Sequence, residues 1–436
     1  MFKDLELTHE EASRLSRAGI IQPSEKFGMR LVSSHILCLP SNSADAHQGA
    51  SAPSATASFP TRARSTQEWF ELPTIFESIT ALEYVGLTPG AARVILENFE
   101  DAPDFDYTLP VLEDYIVQHF ALADNTRDPR EAMTLCGINR EIQDAILDPE
   151  FREVFKTQSV MHWVEDTIEM NCKTLRIQMH ALKEQARAER DKAAFDLSLL
   201  SESLDKAAAS NPPAEIPSGA PADRQPWSTY LPQTCVIAQD PPAIPQGYRA
   251  LYTNVVLNSH VTLFGPYDNI NLYGIEKCRG GDFHGDCSAI PLVTEKGVAE
   301  LERRYTARRC PLSESWTARI LVSKDFVHSL RYNRLYYSPE WKYVVWRNRQ
   351  QHVPEDPFDN FTHAHLMIGH KCKAPSSEIR RINREDLQEA ITDRHVMTFN
   401  GVPVEQWVFR NEGLSSLEGY ITGNLHVEVH APMAYH

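Results

Sequence analysis

The sequence predicts an α+β protein: an N-terminal all-helical domain with a long helix, a Pro-rich linker, and a C-terminal mixed α+β domain. Three observations carry this. Helix caps of the Thr-Pro and Asp-Pro type recur between residues 66 and 210, and nine prolines fall between Pro212 and Pro245. Beyond residue 246 the texture turns to short β-branched and aromatic runs.

Residues 1–65 read as a mostly disordered N-terminal segment. Within it, residues 41–66 are rich in Ser, Ala, Pro and Thr and cannot bury enough apolar surface to offset ordering entropy. One short helix is expected ahead of it, over Thr8 to Ala18. The helical domain spans 66–210. Thr88-Pro89, Asp128-Pro129 and Asp148-Pro149 each place a capping oxygen before a proline at the first helical position, and Gly137 with Asn139 reads as a stop and a new cap. Val111, Leu112, Tyr115, Ile116 and Phe120 recur at helical spacing.

The last helix is expected from about residue 149 to 209, where neither Gly nor Pro interrupts after Pro149. Ile168, Cys172, Leu175, Met179, Leu182 and Ala186 step along it by 4, 3, 4, 3 and 4, a heptad seam. Packing within the chain is favoured. The alternative is a coiled-coil contact with a homodimer partner or another protein through the 150–210 helix. Residues 211–246 form the linker, and no internal repeat is found.

In the 247–430 domain the expected strands are ALYTNVVL, TARILVS, KYVVW, HLMIG, EQWVFR and HVEVH, with a helix over Thr294 to Arg309 capped by Thr294.

Composition narrows the function classes. Apolar residues are 42% and charged residues 23%, which excludes collagen, a wholly disordered chain and a small disulfide scaffold. A formal charge of −16 repels phosphate backbones and anionic lipid, so nucleic acid and membrane partners are not expected. MFKDLELTHE holds no apolar run, and no stretch approaches the about 18 apolar residues of a membrane span. The eight cysteines are scattered without a C-x-x-C pair. An intracellular, cytoplasmic protein with free thiols is expected, a nuclear one being the alternative.

From Ala250 onward the order of elements resembles the ADP-ribosyltransferase fold, and specifically a family of bacterial and fungal domains of unknown function. Leu251-Tyr252-Thr253-Asn254 stands where that family opens with Tyr-His-Gly. Gly281-Asp282-Phe283-His284-Gly285 matches its Asp-Phe-Gly turn, and Val298, Ala299 and Tyr305 lie on the helix that follows. His365 to His370 is similar to the Ile-Gly-Pro strand, and Glu405-Gln406-Trp407-Val408-Phe409 to the closing Gln-Ile-x-Phe strand, with Leu414 and Leu417 behind it. The whole arrangement, with Trp341 and Trp346, also resembles a group of uncharacterised proteins from filamentous fungi.

The resemblance implies NAD as cofactor, held by Tyr252, Thr253, Asp282, Phe283 and Gly285, with Gln406 or Glu405 as the third-strand catalytic group. Breaking the nicotinamide–ribose bond generates an oxocarbenium-like centre, which a nearby carboxylate stabilises. The sequence departs from the family at two places: Thr253 replaces the first-strand His, and apolar and small residues replace the aromatic group within Ser288 to Thr294. The expectation is a binding or regulatory protein with a degenerate site that holds NAD or ADP-ribose weakly. The alternatives are an active ADP-ribosyltransferase or NAD-cleaving enzyme, and a helical interaction scaffold.

Two further patterns stand out in the sequence. His363, His365, His370 and Cys372, like Cys278, Cys287 and Cys310 with His284, have metal-ligating types but no finger or ribbon spacing, and ordinary strand and core residues are favoured. Residues 301–350 hold nine Arg and two Lys against four acids, a local +7 interleaved with Trp and Tyr. That suits a nucleotide, though arginines stacked on neighbouring rings are favoured.

Overall fold

Side-chain caps start most of the helices, and register then fixes one large sheet. The structure, a computed structural model, describes residues 5–33, 54–58, 69–101, 112–120, 128–208, 235–256, 263–264, 270–272, 275, 281–355 and 357–430. The first part runs α1 (His9–Arg17), β1 (Ile21–Pro23), β2 (Met29–Ser33), β3 (Thr56–Ser58), β4 (Trp69–Pro73), α2 (Ile79–Tyr84), α3 (Pro89–Glu100), α4 (Leu112–Phe120), α5 (Pro129–Leu135), α6 (Arg140–Ile146), α7 (Arg152–Phe155) and α8 (Val160–Ala208). The second runs β5 (Val236–Ile237), β6 (Tyr248–Val256), β7 (Ala289–Val293), α9 (Lys296–Arg309), β8 (Ser315–Ser323), α10 (Lys324–Ser329), β9 (Tyr332–Leu335) and α11 (Pro339–Arg349). It closes with β10 (Leu366–His370), α12 (Ser376–Arg380), α13 (Leu387–Ala390), β11 (Thr398–Phe399), β12 (Val402–Pro403), β13 (Glu405–Arg410), α14 (Glu412–Ile421) and β14 (Leu425–His430).

Thr88, Asp128 and Asn139 cap α3, α5 and α6 as the sequence predicts. α2–α3 and α5–α6 are two helix–turn–helix units joined in the same way: Thr88 N–H donates to Gly137 O at 2.7 Å, and Asn139 N–H donates to Gly86 O at 2.8 Å. This is a structural repeat that the sequence reading missed, because the two turns share only a Gly-apolar-cap pattern. Gly137 adopts φ +68°, and a Cβ there would lie 2.3 Å from the Ala91 Cβ, so glycine is required on both counts.

The helix expected from 149 breaks into a 3-10 turn, α7 and α8. Thr157 Oγ1 bonds back to Val154 O, and Ser159 caps the new helix through the His162 N–H, so hydroxyl side chains end one helix and start the next. The seam residues Ile168, Cys172, Leu175, Met179, Leu182 and Ala186 are buried in one core with α1 to α6, which is the within-chain packing favoured above. That stretch of α8 is thus unavailable as a coiled-coil surface.

The nine-stranded sheet has the order β5-β3-β14-β8-β6-β7-β13-β10-β9. One face buries Leu251, Leu292, Trp316, Trp407 and Val427. The other is covered by two helices: Val298 and Ala299 of α9 pack near Val293, while Trp341, Val344 and Val345 of α11 pack near Met367 and Val408.

The helical part and the sheet meet through α9. Tyr305 belongs to the helical core and donates to Ile146 O at 2.9 Å. Arg309, 1% exposed, lies between the Trp163 and Tyr305 rings and pairs with Asp166 at 2.8 Å.

Several expectations need correction. Residues 5–33 are not a lone helix, since Leu15, Ile20, Ile21 and Val32 join the helical core and β1-β2-β4 form a small sheet. Residues 54–58, placed in the disordered segment, contribute β3 to the large sheet. Residues 236 and 237, placed in the linker, pair with β3. The rest of the N-terminal segment (1–4, 34–53 and 59–65), the first residues of the helical domain (66–68) and linker residues 211–234 lie outside the described residues. KYVVW is helical, because Ser338 caps α11 with Pro339 at its first position, and burial all around the helix erases the amphipathic period. Thr294 bonds Glu295 instead of capping α9. Among the described residues no helix is long and apolar enough to cross a membrane.

Leu175 is 1% exposed, so Leu175→Ala should cost about 2–5 kcal/mol. The expected result is a lowered thermal midpoint with unchanged mass in solution; dissociation of a dimer would instead place the seam at an interface.

Candidate functional site

Register brings two of the predicted site residues onto one face. Tyr252 pairs with Val293, and Val293 pairs with Gln406. Directly opposed residues share a face, so Tyr252 and Gln406 lie on the helix-covered side, two strand spacings or about 10 Å apart. Thr253 points to the opposite, apolar face and is buried there opposite Ala318. Glu405 alternates with Gln406 and shares the face of Thr253.

Asp282 and Gln406 are brought into contact, but as part of a structural lock. Asp282 is 4% exposed. Its Oδ1 accepts from Arg349 Nε at 2.8 Å and lies 2.7 Å from Arg349 Nη2. Its Oδ2 accepts from the Cys372 N–H at 2.8 Å and from Gln406 Nε2 at 2.6 Å. Burial works against the charge on Arg349, yet Asp282 and then Cys372 together outweigh it and the guanidinium pKa lies above its ordinary value.

The rest of the turn is equally engaged. Phe283 is buried in the apolar core, and its carbonyl accepts from Arg410 Nη1 at 2.5 Å. Gly285 N–H donates to Asn348 Oδ1 at 2.9 Å, where a side chain would collide with Asn348 and the His352 carbonyl. Asp282, Phe283 and Gly285, expected to hold a cofactor, are occupied in binding the turn to α11 and β13.

Glu405 is similarly held. Arg249 Nη2 lies 3.0 Å from its Oε1, Trp407 Nε1 donates to the same oxygen at 2.9 Å, and the Tyr336 hydroxyl donates to Oε2 at 2.7 Å.

Six arginines of the basic stretch are taken up in ion pairs within the chain. Arg303 pairs with Glu300, Arg304 with Glu150, Arg308 with Asp148, Arg309 with Asp166, Arg347 with Glu355 and Arg349 with Asp282. Trp316 and Trp341 are wholly buried. Neither fits an exposed strip for nucleic acid.

A polar layer that the sequence reading did not assemble lies between α9 and the sheet. Thr56 and Ser58 of β3, His426 and Glu428 of β14, Thr317 and Arg319 of β8 and Tyr252 of β6 share the helix-covered face. His426, 3% exposed, is fixed by Thr56 Oγ1 at 2.9 Å and Ser58 Oγ at 3.0 Å. Burial first, and the Arg319 charge next, push it down to about 4. Lys296 of α9 pairs with Glu428 at 2.6 Å. Nearby His430, then Lys296, hold Glu428 down to about 2. Glu300 takes Arg303 and accepts from Thr317 Oγ1 at 2.8 Å. Two signals were in the sequence: the alternation in HVEVH, and an arginine in the middle of the apolar run TARILVS.

No family model matches the chain, and neither a curated protein nor a solved structure matches it. The geometry is what supports a function. Among the described residues no three His, Cys, Asp or Glu side chains come together as a metal centre. His363 is exposed, His365 faces Glu412 at 3.2 Å, and Cys372 is buried with its thiol pushed up to about 12 by burial and by Asp282. Cys278 lies outside the described residues.

Two outcomes are expected. Asp282→Asn leaves the buried Arg349 guanidinium without its counter-charge and should destabilise by about 3–5 kcal/mol, measured by denaturant unfolding. A loss under about 1 kcal/mol would show an exposed pair instead.

His426 has a folded pKa below its ordinary 6.5, so its contribution is complete above about pH 6.5 and lost as the pH falls toward about 4. The stability gap between the wild type and His426→Asn should therefore narrow over that window. A gap independent of pH would contradict the assignment.

Proposed function

We propose that this protein binds a phosphate-bearing nucleotide, NAD or ADP-ribose, on the sheet face that carries Tyr252, and that it leaves the nicotinamide–ribose bond intact. The row Tyr252–Val293–Gln406 across three adjacent strands carries the proposal; Tyr252, its half-buried member, is the group a ligand would reach, while Val293 and Gln406 are buried. It supports an ADP-ribosyltransferase-like arrangement, in which first-, second- and third-strand groups face one site. Here the middle position is apolar, and the third-strand amide is hydrogen-bonded to Asp282.

Bond cleavage needs negative charge beside the developing oxocarbenium ion. On the Tyr252 face, Glu428 and Glu300 are paired with Lys296 and Arg303. Glu405 lies on the other face, held by Arg249, Tyr336 and Trp407. Contacts to ribose and phosphate would survive while stabilisation of the cation would not, which gives binding without turnover. Such a protein acts as a nucleotide-responsive binding or regulatory factor.

ADP-ribose should raise the thermal midpoint of the full chain, and NAD incubated with it should release no nicotinamide. Tyr252→Ala should weaken binding without any change in turnover. Nicotinamide release that Glu405→Ala or Gln406→Ala abolishes would replace this proposal with an enzyme.

A further inference from the structure

Arg319 stands in the middle of β8, flanked in sequence by Ala318 and Ile320, and is 7% exposed. On its own row it lies between Tyr252 of β6 and His426 of β14. Among the described residues its guanidinium makes no hydrogen bond and no ion pair, and its Nε is shielded from solvent without a partner. Other buried arginines differ: Arg303 forks onto Glu300, and Arg349, farther along the sheet, onto Asp282. A guanidinium stays protonated at any working pH, so a buried one without a counter-charge is costly to keep.

The surroundings do not neutralise it. Glu428 is engaged by Lys296, and Glu300 by Arg303 and Thr317. His426 is neutral near pH 7 and held at both ring nitrogens by Thr56 and Ser58. A neutral imidazole donates from one nitrogen and accepts at the other. One of these hydroxyls therefore accepts from the ring and keeps its own O–H for a further acceptor.

We propose that Arg319 anchors an oxyanion site for a phosphate group, framed by Tyr252 and by the His426-bound hydroxyls of Thr56 and Ser58. The guanidinium fork takes two oxygens and the hydroxyl takes a third, a set that matches a tetrahedral phosphate better than a planar carboxylate. Free phosphate, pyrophosphate and the diphosphate of a nucleotide offer the same oxygens. The site therefore does not depend on the dinucleotide proposal.

The test is calorimetric titration of the full chain with inorganic phosphate, pyrophosphate and ADP-ribose separately, repeated with Arg319→Met and Arg319→Lys. Saturable binding of at least one probe is expected, weakened on the order of tenfold or more by Arg319→Met. The ligand-free thermal midpoint of Arg319→Met should not fall, since an apolar chain replaces an unpaired buried charge. If that variant does not fold, Arg319→Lys keeps the charge, loses the fork and should still weaken binding. No binding of any probe to the wild type, or equal affinity in the variants, overturns the site. Phosphate or pyrophosphate binding without ADP-ribose binding keeps the site and overturns the dinucleotide proposal. ADP-ribose binding that is indifferent to Arg319 does the reverse.

Discussion

The buried pair of Asp282 and Arg349 holds the C-terminal half of the sheet together. One carboxylate takes donors from α11, from the chain just after β10 and from β13, so three separated segments meet at two oxygens. Charge buried this deeply is tolerated when every lone pair is engaged, and breaking it is far more damaging than its net contribution suggests. The same lock decides the chemistry, because the Gln406 amide that could have faced a ribose faces Asp282.

α9 extends this logic to the helical part. Its C-terminal turns insert Tyr305 and Arg309 among the helices, while Lys296, Glu300 and Arg303 lie over the sheet. One helix thus ties the N-terminal core to the polar layer. Beneath α9 the face is largely polar; beneath α11 it is apolar around Met367 and Val408, apart from the Asp282–Arg349–Gln406 cluster. Ion pairs within the chain consume six arginines of the basic stretch, and among the described residues the buried Arg319 is left without a hydrogen bond or ion pair.

How much of this was legible depends on the range of the interaction. Local signals read well: Thr88, Asp128 and Asn139 cap where expected, EQWVFR and HVEVH are strands, and the heptad seam is buried. KYVVW misled because a helix buried on all sides has the composition of a strand, and only its Ser-Pro start reveals it. Strand β3 was hidden because Thr-Ala-Ser carries no β signal of its own and is held by pairing with β14. The Asp-Phe-Gly turn looked like a ligand contact because the partner of Asp282 lies 67 residues away. Arg319 was visible as one charge among eleven Lys and Arg, but its lack of a partner exists only in three dimensions.

The most direct test of the central claim is a crystal structure of the full chain with ADP-ribose. The account predicts diphosphate oxygens within hydrogen-bond distance of the Arg319 guanidinium, beside Tyr252, with Gln406 still donating to Asp282. A diphosphate bound on the other face near Glu405, or a Gln406 side chain released from Asp282 onto the ribose, would contradict it.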